Sequence, residues 1–150
     1  MSKTIILQYW DIHKLLNNKK CSELDKINVN DYDFIVGPYL VGLNHWNALI
    51  INVKDKLFLS IDPQKVKSDL LDIHFKNWLS YYESHYGSFN NWKKIYIDHP
   101  IQTDGCNCGV FVMLFIVNYV RTGKISSENI DTNNLYEQRL KIAETIKNFK

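Results

Sequence analysis

The chain has 150 residues, 45% of them hydrophobic, and a formal net charge of +2 at pH 7. That length and apolar content predict one globular domain, spanning residues 1–150, with a single core. The lysines are scattered and the only arginines are Arg121 and Arg139, so composition makes no case for nucleic-acid binding.

In chain order, the opening MSKTIILQYWDIHK has neither the apolar core nor the cleavage site of a secretory signal. It reads as a short strand or helix start, followed by a polar loop, NNKKCSELDK. From Asp33 the pattern turns to sheet: DFIVGPYL, then HWNALIINV, a charged turn KDK, and LFLSID. Residues 45–62 are thereby predicted to form a hairpin. Residues 65–86 are predicted helical, with Leu71, Phe75, Trp78 and Tyr82 on one apolar face, ended by Gly87 and Asn90-Asn91. KKIYID follows as a further strand.

A helix over Cys108 to Val120 is apolar nearly all round, which predicts burial at the centre of the molecule. Its apolar run, Val110 to Val117, is far short of the ~20 residues needed to cross a bilayer. The chain closes with an amphipathic helix carrying Leu135, Ile142, Ile146 and Phe149 on one face. Clustered strands with helices before and after them give an α+β class. The three cysteines, Cys21, Cys106 and Cys108, are odd in number and make no disulfide framework, so the expectation is a soluble protein in a reducing, intracellular compartment.

The stretch PIQTDGCNCGVFVM, Pro100 to Met113, carries the chemistry. A helix beginning at Cys108 puts that sulfur beside unpaired backbone N–H groups at the positive end of the helix dipole, which favours the thiolate. Gly105 and Gly109 leave room for another backbone to come close. Packing is the commoner fate of a free cysteine. Zinc on Cys106 and Cys108 with Cys21 or His99 is a third reading, but the one-residue spacing is too short and no second pair exists. Among the five histidines, His74 and His85 lie on the flank of the predicted helix, where solvated or half-buried histidines are the default. His13 lies in the N-terminal piece, and His99 precedes a proline with no evident orienting acid. His45 opens the predicted hairpin and Asp62 ends it, so both come to its open end if a bulge or a longer turn corrects the register.

His45-Trp46, Asp62 seventeen positions on, Gln102, Gly105 and Cys108-Gly109-Val110-Phe111 together resemble the ubiquitin-like-protein-specific cysteine proteases, the SUMO (sentrin-specific) proteases. The adenovirus protease is a more distant relation. The resemblance runs from about Phe34 to about Val120. It implies a papain-like fold, a central mixed or antiparallel sheet with a buried helix starting at the nucleophile. It also implies the roles: Cys108 as nucleophile, His45 as base in a thiolate–imidazolium pair, Asp62 as orienting acid, and Gln102 as oxyanion donor beside the Cys108 N–H. Trp46 would roof a slot for the Gly-Gly tail of the substrate, next to Gly105, with Trp10 as its second wall. The substrate implied is ubiquitin or a ubiquitin-like modifier such as SUMO, freed from conjugates or precursors by a monomer that needs no metal or organic cofactor and binds neither membrane nor nucleic acid.

Some residues depart from the family pattern. About forty residues precede the His-Trp strand, a shortened N-terminal lobe. Asn107 replaces an acid, Pro63 follows Asp62 in place of serine, and Trp10-Asp11-Ile12-His13 fits the N-terminal motif poorly. Two rivals share the arrangement: a same-clan acetyltransferase effector, which would need an inositol-phosphate-binding basic patch, and a catalytically weak module that only binds ubiquitin-like tails. Cys106 reads as a small loop residue.

Overall fold

The computed structural model describes residues 2–87, 91–128 and 130–148. Among these a mixed sheet runs in the order β1 (Thr4–Ile6), β2 (Phe34–Val41), β3 (His45–Asn52), β4 (Leu57–Ile61) and β5 (Lys93–Lys94). β2, β3 and β4 form an antiparallel meander, while β1 lies parallel to β2 at one edge and β5 parallel to β4 at the other.

The strands are apolar at nearly every position because both faces of the sheet are covered. Ile35, Tyr39, Leu49, Ile51 and Phe58 point to one side and pack with Ile12 and Leu15 of α1 (Tyr9–Leu16) and Leu71 and Trp78 of α3 (Leu71–Tyr86). Their neighbours in the strands, Val36, Ala48, Ile50, Leu59 and Ile61, pack on the other side with Phe111, Val112, Phe115 and Tyr119 of α4 (Cys108–Thr122). The short α2 (Ser22–Asp25) adds Leu24 to the first cluster. α1 comes so close to β2 that a Cβ on Gly37 would collide with the Ile12 side chain and the Leu7 carbonyl.

Several expectations are corrected. The third long helix begins at Leu71 and not near residue 65, because Ser68 is buried against Ser60 and its hydroxyl accepts the Leu70 N–H, which holds this stretch to the sheet as a turn. The whole apolar face assigned to that helix, Leu71 to Tyr82, falls inside it. The strand expected over 93–98 pairs only at Lys93 and Lys94; beyond the Ile95 N–H bond to Phe58 O the chain leaves the edge, and Ile95 and Ile97 pack against the α4 cluster.

α4 is not buried all round: it lies on one face of the sheet, and Met113 and Val117 on its outer side are 41% and 44% exposed. The closing helix, α5 (Leu135–Asn148), rests on α4 through Leu135 and leaves Ile146 in solvent. Asn90 and Phe149, expected at a helix end and on the α5 face, lie outside the described residues. Among the described residues no helix is long and apolar enough to cross a membrane.

Candidate active site

The β3–β4 connection is a four-residue turn, Val53 to Lys56, closed by the Asp55 N–H on Asn52 Oδ1 at 3.0 Å and by Lys56 in the left-handed region at φ 57°. With Asn52 opposite Leu57, the register carried past Ile61 sets Asp62 opposite Asn47, so His45 and Asp62 are diagonal neighbours on one face. That is the longer turn the sequence required. His45 Nε2 lies 2.7 Å from Asp62 Oδ1. An ionised carboxylate only accepts, so Nε2 carries the proton and Nδ1 is left to act as a base.

Asp62 is fixed from its other side. Its Oδ1 also accepts the Gln64 N–H at 2.9 Å, and the carbonyl of Pro63 accepts the Gln102 N–H at 2.7 Å. Pro63 therefore does not spoil the presentation of the acid. The Pro63 backbone joins the hairpin end to the loop that precedes α4.

In that loop Gln102 is buried, and its side-chain Nε2 donates to the Asp104 carbonyl at 2.8 Å and to Asp104 Oδ1 at 3.1 Å. Asp104 Oδ1 also accepts the N–H groups of Cys106 and Asn107, each at 2.8 Å, and Oδ2 accepts Asn107 Nδ2 at 3.0 Å. These donors, the Asn107 amide foremost and then the Cys106 N–H, hold the Asp104 carboxyl well below the ordinary carboxylate range. Asn107 is the N-cap of α4, and its Oδ1 in turn accepts from Arg139 of α5 at 3.1 Å. The first bond into the helix is Phe111 N–H to Asn107 O at 3.1 Å. The N–H groups of Cys108, Gly109 and Val110 thus precede any intrahelical partner, and Cys108 sits on the first turn as expected.

Among the described residues a second set has the same ingredients. Cys21, Asp25 and His85 line a common cavity, with His85 Nε2 3.0 Å from Asp25 Oδ1. There, however, His85 Nδ1 is occupied by the Tyr81 carbonyl at 2.8 Å, and burial pushes the fully enclosed Cys21 thiol up. A protonated thiol beside a histidine with no free nitrogen is a packing arrangement. The remaining histidines are also accounted for. His74 is buried against Ser60 and Tyr39, and burial pushes it down to about 4. His99 packs on Phe115, and His13 lies by Asn17. All three cysteines are free, Cys106 exposed. No cluster of three or more His, Cys, Asp or Glu side chains suited to a metal occurs among the described residues.

Trp46 follows His45 and packs partly on the α4 cluster. Trp10 does not face it directly: Tyr9 stands between them, its ring 5.9 Å from Trp46 and 5.1 Å from Trp10, both edge to face. Tyr9 escaped the sequence reading, and only its place beside Trp10 hinted at it. Cβ atoms on Gly105 or Gly109 would meet nothing within 4 Å, so nothing in this chain demands glycine there.

Compared with known proteins, the sequence matches the Ulp1 protease family, C-terminal catalytic domain, over residues 9–149. No curated protein matches it significantly. Its fold resembles that of the SUMO protease Ulp1 in a form with its catalytic cysteine oxidised to a sulfonic acid, with a TM-score of 0.71 at 18% identity over 91% of this chain and 65% of that one. The C-terminal Ulp1 protease domain in complex with Smt3, the yeast ortholog of SUMO, superposes with a TM-score of 0.66 at 19% identity over 81% and 58%. The Xanthomonas campestris effector XopD bound to ubiquitin gives 0.54 at 12% over 90% and 76%. The chain thus spans less than two thirds of the length of the two Ulp1 structures. These likenesses confirm the papain-like, Ulp1-type α+β fold.

Proposed function

The chain belongs to the Ulp1 protease family, and from that premise we propose that it is a thiol isopeptidase that cleaves after the terminal glycine of ubiquitin or a ubiquitin-like protein. The observation that carries this reading is the His45–Asp62 pair at 2.7 Å, joined through Pro63 and Gln102 to the loop that ends in Cys108. In the reaction, His45 Nδ1 takes the Cys108 proton while Asp62 holds Nε2–H and balances the imidazolium. The sulfur attacks the glycine carbonyl carbon. The oxygen then gathers charge between the Cys108 N–H and the Gln102 amide, where one such donor is worth about 2.7 to 4 kcal/mol. The C–N bond breaks as His45 returns the proton to the departing amine. Water, deprotonated by the same histidine, then releases the modifier from the thioester.

Trp46, Tyr9 and Trp10, whose rings pack edge to face, would make an aromatic rim suited to a tail without side chains. The open space at Gly105 and Gly109 supports the same reading. The enzyme would work as a monomer in a reducing compartment inside a cell, where its free thiols persist.

The test is product analysis on lysine conjugates of ubiquitin and of SUMO. Release of modifier ending in a free glycine carboxylate, abolished by Cys108→Ala with the fold retained, is the expected result. Acetylation of Ser, Thr or Lys from acetyl-coenzyme A, without conjugate cleavage, would replace the proposal with the transferase reading.

A further inference from the structure

Asp104 takes part in six hydrogen bonds, more than a loop-capping carboxylate needs. Its carboxylate accepts from Gln102, Cys106 and twice from Asn107, and its carbonyl accepts from Gln102 and, at 3.4 Å, from Gln64 Nε2. Gln64 is the residue whose N–H is bound by Asp62. Asp104 therefore touches the acid's turn, the proposed oxyanion donor and the N-cap of the nucleophile's helix at once.

The bond pattern of Gln102 gives this contact a consequence. Both hydrogens of its Nε2 go to Asp104, while its Oε1 is buried with no partner among the described residues. Rotating the amide would set Oε1 against two Asp104 oxygens, so the assignment of nitrogen and oxygen is fixed by chemistry. A buried, unpartnered carbonyl is costly, because it has given up water and gained no donor in return. The amide keeps that orientation because Asp104 draws its nitrogen the other way. To donate to a substrate oxygen, Gln102 has to give up one of its two bonds, and the 3.1 Å bond to Oδ1 is the longer.

We propose that Asp104 is a positioning residue for the thiol chemistry: its carbonyl holds the Gln102 amide, its carboxylate fixes the backbone at Cys106 and Asn107 so that the helix opens at Cys108, and the carboxylate–Gln102 bond is exchanged for one to the developing oxyanion. This rests on the isopeptidase reading and specifies how its oxyanion site is kept ready. Asp104 touches no reacting atom and acts through Gln102 and the loop.

The experiment is a double-mutant cycle on Asp104→Ala and Gln102→Ala, with Asp104→Asn beside it. Its substrate is a C-terminal aminocoumarin derivative of the ubiquitin-like protein that the wild type hydrolyses. Asp104→Ala should lower kcat by about 10- to 100-fold with KM within about twofold. Asp104→Asn keeps an acceptor for the Cys106 and Asn107 N–H groups and should stay within about fivefold of wild type. In the Gln102→Ala background, Asp104→Ala should cost several-fold less than in the wild type, because only the hold on the Cys106 and Asn107 backbone is left to lose. If Asp104→Ala does not fold, Asp104→Ser takes its place in the cycle. Equal costs in both backgrounds, an Asn variant as slow as the Ala variant, or an unchanged Ala variant would each overturn the assignment. A wild type that hydrolyses no such derivative would overturn the isopeptidase reading and this inference together; an active wild type with an additive cycle would overturn this inference alone.

Discussion

At the scale of single residues, the two cysteines of the CNC motif separate cleanly. Cys106 is exposed, its backbone N–H serves Asp104, and among the described residues its sulfur meets only a 3.7 Å approach of Asn107 Nδ2. Cys106→Ala should therefore leave kcat/KM within about twofold of wild type, because the bond that matters is made by the backbone. A collapse of activity in that variant, measured on the same substrate, would show that the loop has been misread. The residues of the proposed site were legible as candidates because their types and spacing are chemical requirements: a thiol at a helix start, and a histidine and a carboxylate at the open end of one hairpin. Asp104 and Tyr9 were not. Asp104 acquires its partners only when the loop closes on itself, and Tyr9 reaches Trp46 only through the packing of α1 against β2, a contact that no local pattern encodes.

At the scale of elements, period and composition gave the strands and the long helices, whereas tertiary contacts set where they end. α3 starts late because Ser68 is tied to the sheet, and β5 stops early where the isoleucines that follow it, Ile95 and Ile97, turn onto the α4 cluster. The α1–β2 contact makes Gly37 a sensitive point. Gly37→Ala should destabilise the protein by about 1–3 kcal/mol in urea titration, since the Leu7 carbonyl it would strike is backbone and cannot rotate away. A neutral result would mean that α1 sits further from the sheet.

α3 also carries a pH dependence. His74 is neutral in the fold, with its pKa pushed down to about 4 by burial from the ordinary 6.5. Between those values the unfolded chain binds a proton that the folded one refuses, so stability is full above pH 6.5 and falls as pH drops toward 4. His74→Asn should flatten the slope of unfolding free energy against pH within that window. An unchanged slope would assign it to other groups.

At the scale of the whole molecule, the sheet is a plate between two cores, and the proposed site lies where one end of the β3–β4 hairpin meets the start of α4. Two elements far apart in sequence must therefore be held in register, and the bonds through Pro63, Gln64, Gln102 and Asp104 do this. α5 reaches the same loop through Arg139 and Asn107, which gives a helix with little buried surface a place in the architecture. The layered α+β form was readable from the sequence, but the helix over Cys108 looked buried on all sides because its outer face keeps Met113 and Val117 in solvent, where apolar residues carry no pattern to betray exposure. The most direct test of the central claim is covalent trapping. Ubiquitin and a panel of ubiquitin-like proteins with C-terminal electrophiles are incubated with the protein, and the modified residue is mapped by mass spectrometry. One modifier attached to Cys108, and no adduct with Cys108→Ala, is the predicted result. Folded wild-type protein that forms no adduct, or one that maps to Cys106, would contradict it.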